Sequence, residues 1–183
     1  MLDINTPKGE ESLEDEKRGA DLFEYHYPHL RYVHTPKDRP SLVDAFLVKK
    51  EGREEVARAI VETRCRYGLS LKNLLQRFGG EIILTGKKLK RGRELSSWLQ
   101  MPFYLFIYLV KTDMLIVISL TNKEGEPTCH TLEKNTVTRK GVNGGKTNRV
   151  NAYINIREAK TLILTKEFKK LLPRPSHNSL QHS

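Results

Sequence analysis

The chain is 183 residues long, 38% hydrophobic and 30% charged, enough for one hydrophobic core and too little for two large ones. Its longest apolar stretch, Met101 to Val110 with Pro102 inside it, falls far short of a membrane helix. The first residues hold no apolar segment of a secretory signal, and Cys65 and Cys129 are too few for a disulfide framework or a four-cysteine zinc site. The expectation is a soluble, intracellular (cytoplasmic) and basic protein with one folded domain.

The net charge is +10, and it is unevenly spread. Residues 1–24 carry eight acids and three bases, so they are net −5 and the rest of the chain is +15. Lys87, Lys88, Lys90, Arg91 and Arg93 form one basic cluster; Lys134, Arg139, Lys140, Lys146 and Arg149 form a second. Such a body favours a polyanion through phosphate neutralisation and counterion release, although the same lysines would also serve as a solvated surface.

In chain order, residues 1–9 are expected to be disordered, and residues 10–25 form an acidic helix with a thin apolar stripe of Leu13, Ala20, Leu22 and Phe23. Tyr25–Pro40, rich in Pro, His and Tyr, reads as an irregular connection. Leu42–Val48 and Ala57–Arg66 read as a strand pair around a turn at Lys50–Gly52. Ser70 is the expected N-cap of a helix through Phe78 that Gly79-Gly80 stops. Glu81–Thr85 reads as a short strand. Lys88–Leu99 reads as a basic amphipathic helix burying Leu89, Leu95, Trp98 and Leu99. Phe103–Val110 and Met114–Leu120 are dense apolar strands, a pattern that implies cover on both faces. Thr136–Lys140 and Arg149–Ile156 suggest a late hairpin around Gly141–Lys146, and Glu167–Leu172 a short helix. The sum is an α/β chain, a mixed central β-sheet flanked by helices.

Two residues stand out against this pattern. Asp44 lies inside Leu42-Val43-Asp44-Ala45-Phe46-Leu47-Val48, and Glu62 inside Ala59-Ile60-Val61-Glu62-Thr63-Arg64. A carboxylate in an apolar strand is costly unless a cation meets it. On adjacent strands two can converge on one hard cation. Alternation puts Glu62 and Arg64 on one face and Thr63 on the other. A metal beside a fixed positive charge suits a phosphodiester. Ordinary salt bridges of Asp44 or Glu62 with Arg64 or Arg66 would also account for these residues.

In Ser41-Leu42-Val43-Asp44 and Val61-Glu62-Thr63-Arg64 the chain resembles the PD-(D/E)XK nuclease superfamily, over roughly Asp21 to Ile156. The resemblance implies a restriction-endonuclease-like core and a metal-dependent DNA endonuclease. In it Asp44, Glu62 and the Thr63 carbonyl would hold Mg²⁺ or Mn²⁺. The lysine of the family's motif is here Arg64, which cannot give up its proton at working pH. Arg64 could still stabilise transition-state charge. Some members resemble a case in which that lysine has moved to a neighbouring helix. Ile83-Leu84-Thr85-Gly86-Lys87-Lys88-Leu89 is similar to such a segment, which nominates Lys88 before Lys87. On the leading helix the resemblance nominates Glu24 as a further ligand. Expected catalytic residues are thus Asp44, Glu62, Arg64 and Lys88. Lys87, Lys90, Arg91, Arg93, Lys146 and Arg149 are expected to grip the nucleic acid.

The corresponding division is an acidic arm over 1–20, partly disordered, a nuclease-like α/β domain over 21–172 and a flexible tail over 173–183. Expected partners are a nucleic acid, double-stranded DNA first, and a second copy of the chain, with no membrane. The alternative is a catalytically degenerate nuclease fold that only binds nucleic acid. Two decoys are set aside. Gly141 and Gly145-Lys146-Thr147 stand one residue too close for a Walker A loop, and His26, His29 and His34 have no cysteine partners.

Overall fold

The computed structural model describes residues 6–36, 41–139, 146–167 and 169–172. Helix α1 spans Pro7–His26. It begins three residues before the expected Glu10, for a reason visible in Thr6-Pro7. The Thr6 hydroxyl accepts the Gly9 N–H at 3.2 Å, and Pro7 takes the first turn, where its missing N–H costs nothing. The boundary expected after residue 20 therefore falls inside one helix. Its inner face buries Ala20, Leu22 and Phe23.

Strands β1 (Leu30–His34), β2 (Ala45–Glu51) and β3 (Glu54–Arg66) form an antiparallel run. β1 corrects the irregular connection expected over Tyr25–Pro40. Leu30-Arg31-Tyr32-Val33-His34 places Tyr32 in the core, and pairing with β2 supplies the hydrogen bonds that so short a segment needs. Gly52, at φ +64°, makes the turn between β2 and β3. Helix α2 (Leu71–Arg77) is capped by the Ser70 hydroxyl, which accepts from the Asn73 N–H, and Gly79 and Gly80 end it at positive φ.

β4 (Glu81–Thr85) leads directly into α3 (Gly86–Leu99), and β5 (Phe103–Leu109) follows, parallel to β3. After β5 a 3₁₀ turn over Val110–Thr112 leads to β6 (Met114–Thr121). The long hairpin of β7 (Thr131–Arg139) and β8 (Lys146–Asn155) comes next, then β9 (Thr161–Leu164) and β10 (Lys169–Leu172). β10 replaces the helix expected over Glu167–Leu172, because the open edge of β9 offers it a hydrogen-bonding partner. The turn expected over 141–146, apart from Lys146, and the tail 173–183 lie outside the described residues.

The strands form two sheets: a seven-stranded one in the order β1-β2-β3-β5-β6-β9-β10 and a three-stranded one in the order β4-β8-β7. The alternating residues of β3, β5 and β6 feed two cores. Ala45, Val61, Phe106, Tyr108 and Val117 pack with the α1 residues on one face of the large sheet. Ile60, Leu105, Ile107, Ile116 and Ile118 pack on the other, against Leu74, Leu84, Leu89 and Ile154 from α2, β4, α3 and β8. The central strands are thus covered on both sides, as their continuous apolar runs require.

Helix α3 meets this core through small residues. Its buried positions are Gly86, Leu89, Gly92 and Ser96, one stripe at helical spacing. Trp98, expected in the core, is instead 76% exposed, and Leu99 is exposed too. Gly92 in that stripe lets the helix axis approach Phe103 of β5 closely. The far end of α3 is fixed by polar contacts: the Ser96 hydroxyl lies 2.7 Å from that of Thr121, which accepts the Phe103 N–H at 3.1 Å. Among the described residues, no helix is long and apolar enough to cross a membrane.

Candidate active site

Asp44 stands just before β2, and its backbone is held on both sides. Its N–H donates to the Val61 carbonyl at 3.1 Å, and its own carbonyl accepts the Thr35 N–H at 3.0 Å. Its carboxylate reaches across to β3, where Oδ2 accepts the Thr63 N–H at 2.9 Å. Glu62 is central in β3, flanked by β2 and β5, and is only 1% exposed. Alternation along β3 turns Glu62 towards the face that α3 covers.

Lys88, in the first turn of α3, brings its ammonium to these two acids. Its Nζ donates to Glu62 Oε1 and lies 3.6 Å from Asp44 Oδ1. Arg64 adds a second cation, with Nη2 2.9 Å from the same Glu62 oxygen. The residues nominated from three segments of the sequence thus come together. The geometry also ranks the cations: Lys88 touches both carboxylates, whereas Arg64 pairs with Glu62.

Lys88 also breaks a local rule. Cations are disfavoured at a helix N-terminus, yet the first turn of α3 has lysines at 87 and 88 and no acid. Helix stability does not explain that choice; the carboxylate pair does.

Even with two cations beside it, Glu62 is short of positive charge. Burial pushes its carboxyl up to about 7, Arg64 and Lys88 pull it back, and Asp44 adds to the rise. A further cation beside the two carboxylates would favour the ionised form of Glu62.

Glu24 does not join this group. Its carboxylate accepts the Tyr32 N–H at 2.6 Å and so ties α1 to β1. The physical reason is the layering: α1 covers the face of Val61, whereas Glu62 points to the opposite face. Among the described residues no three of His, Cys, Asp and Glu gather as a metal-binding group, the histidines of 26–34 included. The donors that the structure brings together are the carboxylates of Asp44 and Glu62. They do fit a hard cation, because both converge on one ammonium nitrogen.

The α1 side of β3 carries features that spacing did not suggest. The Tyr32 hydroxyl lies 2.5 Å from that of Thr63, and both are buried. Burial pushes the Cys65 thiol up to about 12, and Glu16 and Asp15 on α1 add to the shift. The neighbouring Arg66 lowers it without offsetting this, which favours the protonated thiol at neutral pH.

The cations expected to grip nucleic acid divide. Lys87, Lys90, Arg93 and Arg149 line one cavity between α3 and β8, whereas Arg91 is exposed and is not among its lining residues. Lys146 is exposed at the start of β8, opposite Arg139. A scan against protein-family models finds no match, and neither a search of curated proteins nor one of solved structures returns any.

Proposed function

We propose that this chain is a metal-dependent endonuclease that hydrolyses phosphodiester bonds in DNA, built on a restriction-endonuclease-like core. The observation that carries the reading is the convergence of Asp44, Glu62 and Lys88 from three separate elements beside a basic surface. The order of leading helix, antiparallel β1–β3 and crossover to the parallel β5 supports the same core.

In this reading Asp44, Glu62 and the Thr63 carbonyl hold Mg²⁺ or Mn²⁺. When bound, such an ion polarises the scissile phosphate and acidifies a water. The chain's own residues do the rest. The Thr63 N–H fixes the rotamer of Asp44, so one carboxylate oxygen is directed towards the cation site. Lys88, held beside both acids, is placed to orient the attacking water or to neutralise charge as it develops on the phosphate oxygens. Arg64, paired with the buried Glu62, favours its ionised form against the cost of burial. β2 and β3, locked in a sheet covered on both faces, keep the two acids from drifting apart.

A second reading rests on the same ion pairs. Lys88 and Arg64 already neutralise the carboxylates, so the cluster would also serve as a closed structural knot in a degenerate nuclease fold that only binds nucleic acid. One experiment separates the two. Supercoiled plasmid is incubated with Mg²⁺ or Mn²⁺ and wild-type chain, Asp44→Asn or Glu62→Gln. The expected result is nicking by the wild type and a loss of at least about 10²-fold in each variant, because either change leaves an incomplete hard-oxygen site. Equal nicking by all three would remove both acids from the chemistry, and no nicking by any would favour the binding module.

A further inference from the structure

We propose that the cavity between α3 and the β7–β8 hairpin is a subsite for one unpaired nucleotide of the substrate strand, next to the phosphate that is cut. The proposal deepens the nuclease reading and takes the identity of the strand from it. The cavity measures about 690 Å³ and is lined by Lys87, Lys90 and Arg93 from α3 and by Arg149 and Val150 from β8. That volume suits a single nucleotide. A B-form duplex, whose major groove alone is about 12 Å wide, is too broad to enter.

The lining matches the two halves of a nucleotide. Four cations face two carboxylates, Glu94 and Glu133, and Glu94 already lies 4.0 Å from Lys90 one turn away. The surplus is positive and suits a phosphate. Arg93 is the most specific of the four. One guanidinium nitrogen donates to the Thr131 hydroxyl at 3.0 Å, which fixes the plane, and its Nε is buried without a partner. Half-exposed Val150 and the lysine stems offer an apolar wall to the base.

The walls are fixed in relation to the site. A Cβ on Gly86 would stand 2.8 Å from the Val150 side chain, so α3 begins in direct contact with β8. Lys87 and Lys88 are consecutive and therefore about 100° apart around the helix. One reaches into the cavity and the other to Asp44 and Glu62. A nucleotide in the cavity is then a close neighbour of the reacting phosphate on the same strand. The consequence is a preference for DNA with unpaired nucleotides, such as an overhang or a flap, over blunt duplex.

The test is binding of the full chain, without metal, to fluorescent duplexes that are blunt or carry a three-nucleotide 3′ or 5′ extension, read by anisotropy. One extended duplex is expected to bind about tenfold more tightly than the blunt one, the scale of one charge-assisted phosphate contact with base contact added. Arg149→Ala, at an exposed position, should erase that difference while changing blunt-duplex affinity much less. Equal affinity for all three duplexes would overturn the subsite, as would an Arg149→Ala loss that is the same for each. Plasmid nicking is scored separately. A preference for extensions without any nicking leaves the subsite standing and removes the nuclease reading, and nicking without the preference does the reverse.

Discussion

Lys88→Ala is expected to slow metal-dependent cleavage roughly 10²–10³-fold, the scale of losing one electrostatic or proton-transferring group from a site of this kind. The reason is geometric: Lys88 is the cation in contact with both carboxylates, and it arrives on a helix whose first turn would be more stable without it. Arg64→Lys should be tolerated, because a lysine there keeps a cation beside Glu62. Lys88→Arg discriminates between two roles for the amine. Arginine retains the charge but cannot lose a proton, so a rescued rate points to charge neutralisation and an unrescued one to handling of the water's proton. Single-turnover nicking with saturating Mn²⁺ is the measurement. A near wild-type rate for Lys88→Ala, with Arg64→Ala crippled, would transfer the role to Arg64.

Gly92→Ala is expected to destabilise the fold by about 2 kcal/mol or more, and two effects compete in that figure. Alanine in a helix interior gains about 1 kcal/mol over glycine. Against it, a Cβ at position 92 would stand 2.1 Å from the Phe103 ring, which is itself buried in the core. Overpacking of a tight core typically costs about 1–3 kcal/mol and occasionally more, and a ring wedged at that distance has no room to turn. Overpacking therefore wins. Urea titration of the variant should show a lower midpoint, while Gly68→Ala, with nothing within 4 Å of the added methyl, should change little. A higher midpoint for Gly92→Ala would mean that α3 does not lie where the account puts it. The site depends on that placement, since the same helix carries Lys88, so the surviving folded fraction should also cleave more slowly.

The central pairing was legible because its signals are local. The apolar runs of β2, β3, β5 and β6 have the lengths of strands, and Glu62 inside β3 and Asp44 just before β2 are conspicuous against that background. Ser70 and Gly79-Gly80 bracket α2 by well-understood capping chemistry. What could not be read depends on partners distant in the chain. β1 and β10 are edge segments whose strand form follows from β2 and β9 lying alongside. The spacing of Trp98 with Leu95 and Leu99 points to the core, but the buried stripe of α3 runs through Gly86, Gly92 and Ser96, which hydrophobicity does not mark. A pair of glycines six apart in a helix is a signal of close packing that could have been used. The nomination of Glu24 rests on its place on the leading helix, which does not reveal which face of the sheet α1 covers. The gathering of Lys87, Lys90 and Arg93 with Arg149 needed β8 beside α3, a contact between residues about 60 positions apart.

In the proposed site Asp44 and Glu62 together hold one divalent cation. Mn²⁺ binding to the full-length chain, followed by electron paramagnetic resonance at pH 8 and without nucleic acid, tests it independently of any substrate. One Mn²⁺ per wild-type chain is expected, lost in Asp44→Ala and in Glu62→Ala, with tighter binding in Lys88→Ala, where no ammonium competes for the same oxygens. Mn²⁺ binding that is absent from the wild type, or that persists unchanged in both acid variants, would contradict it.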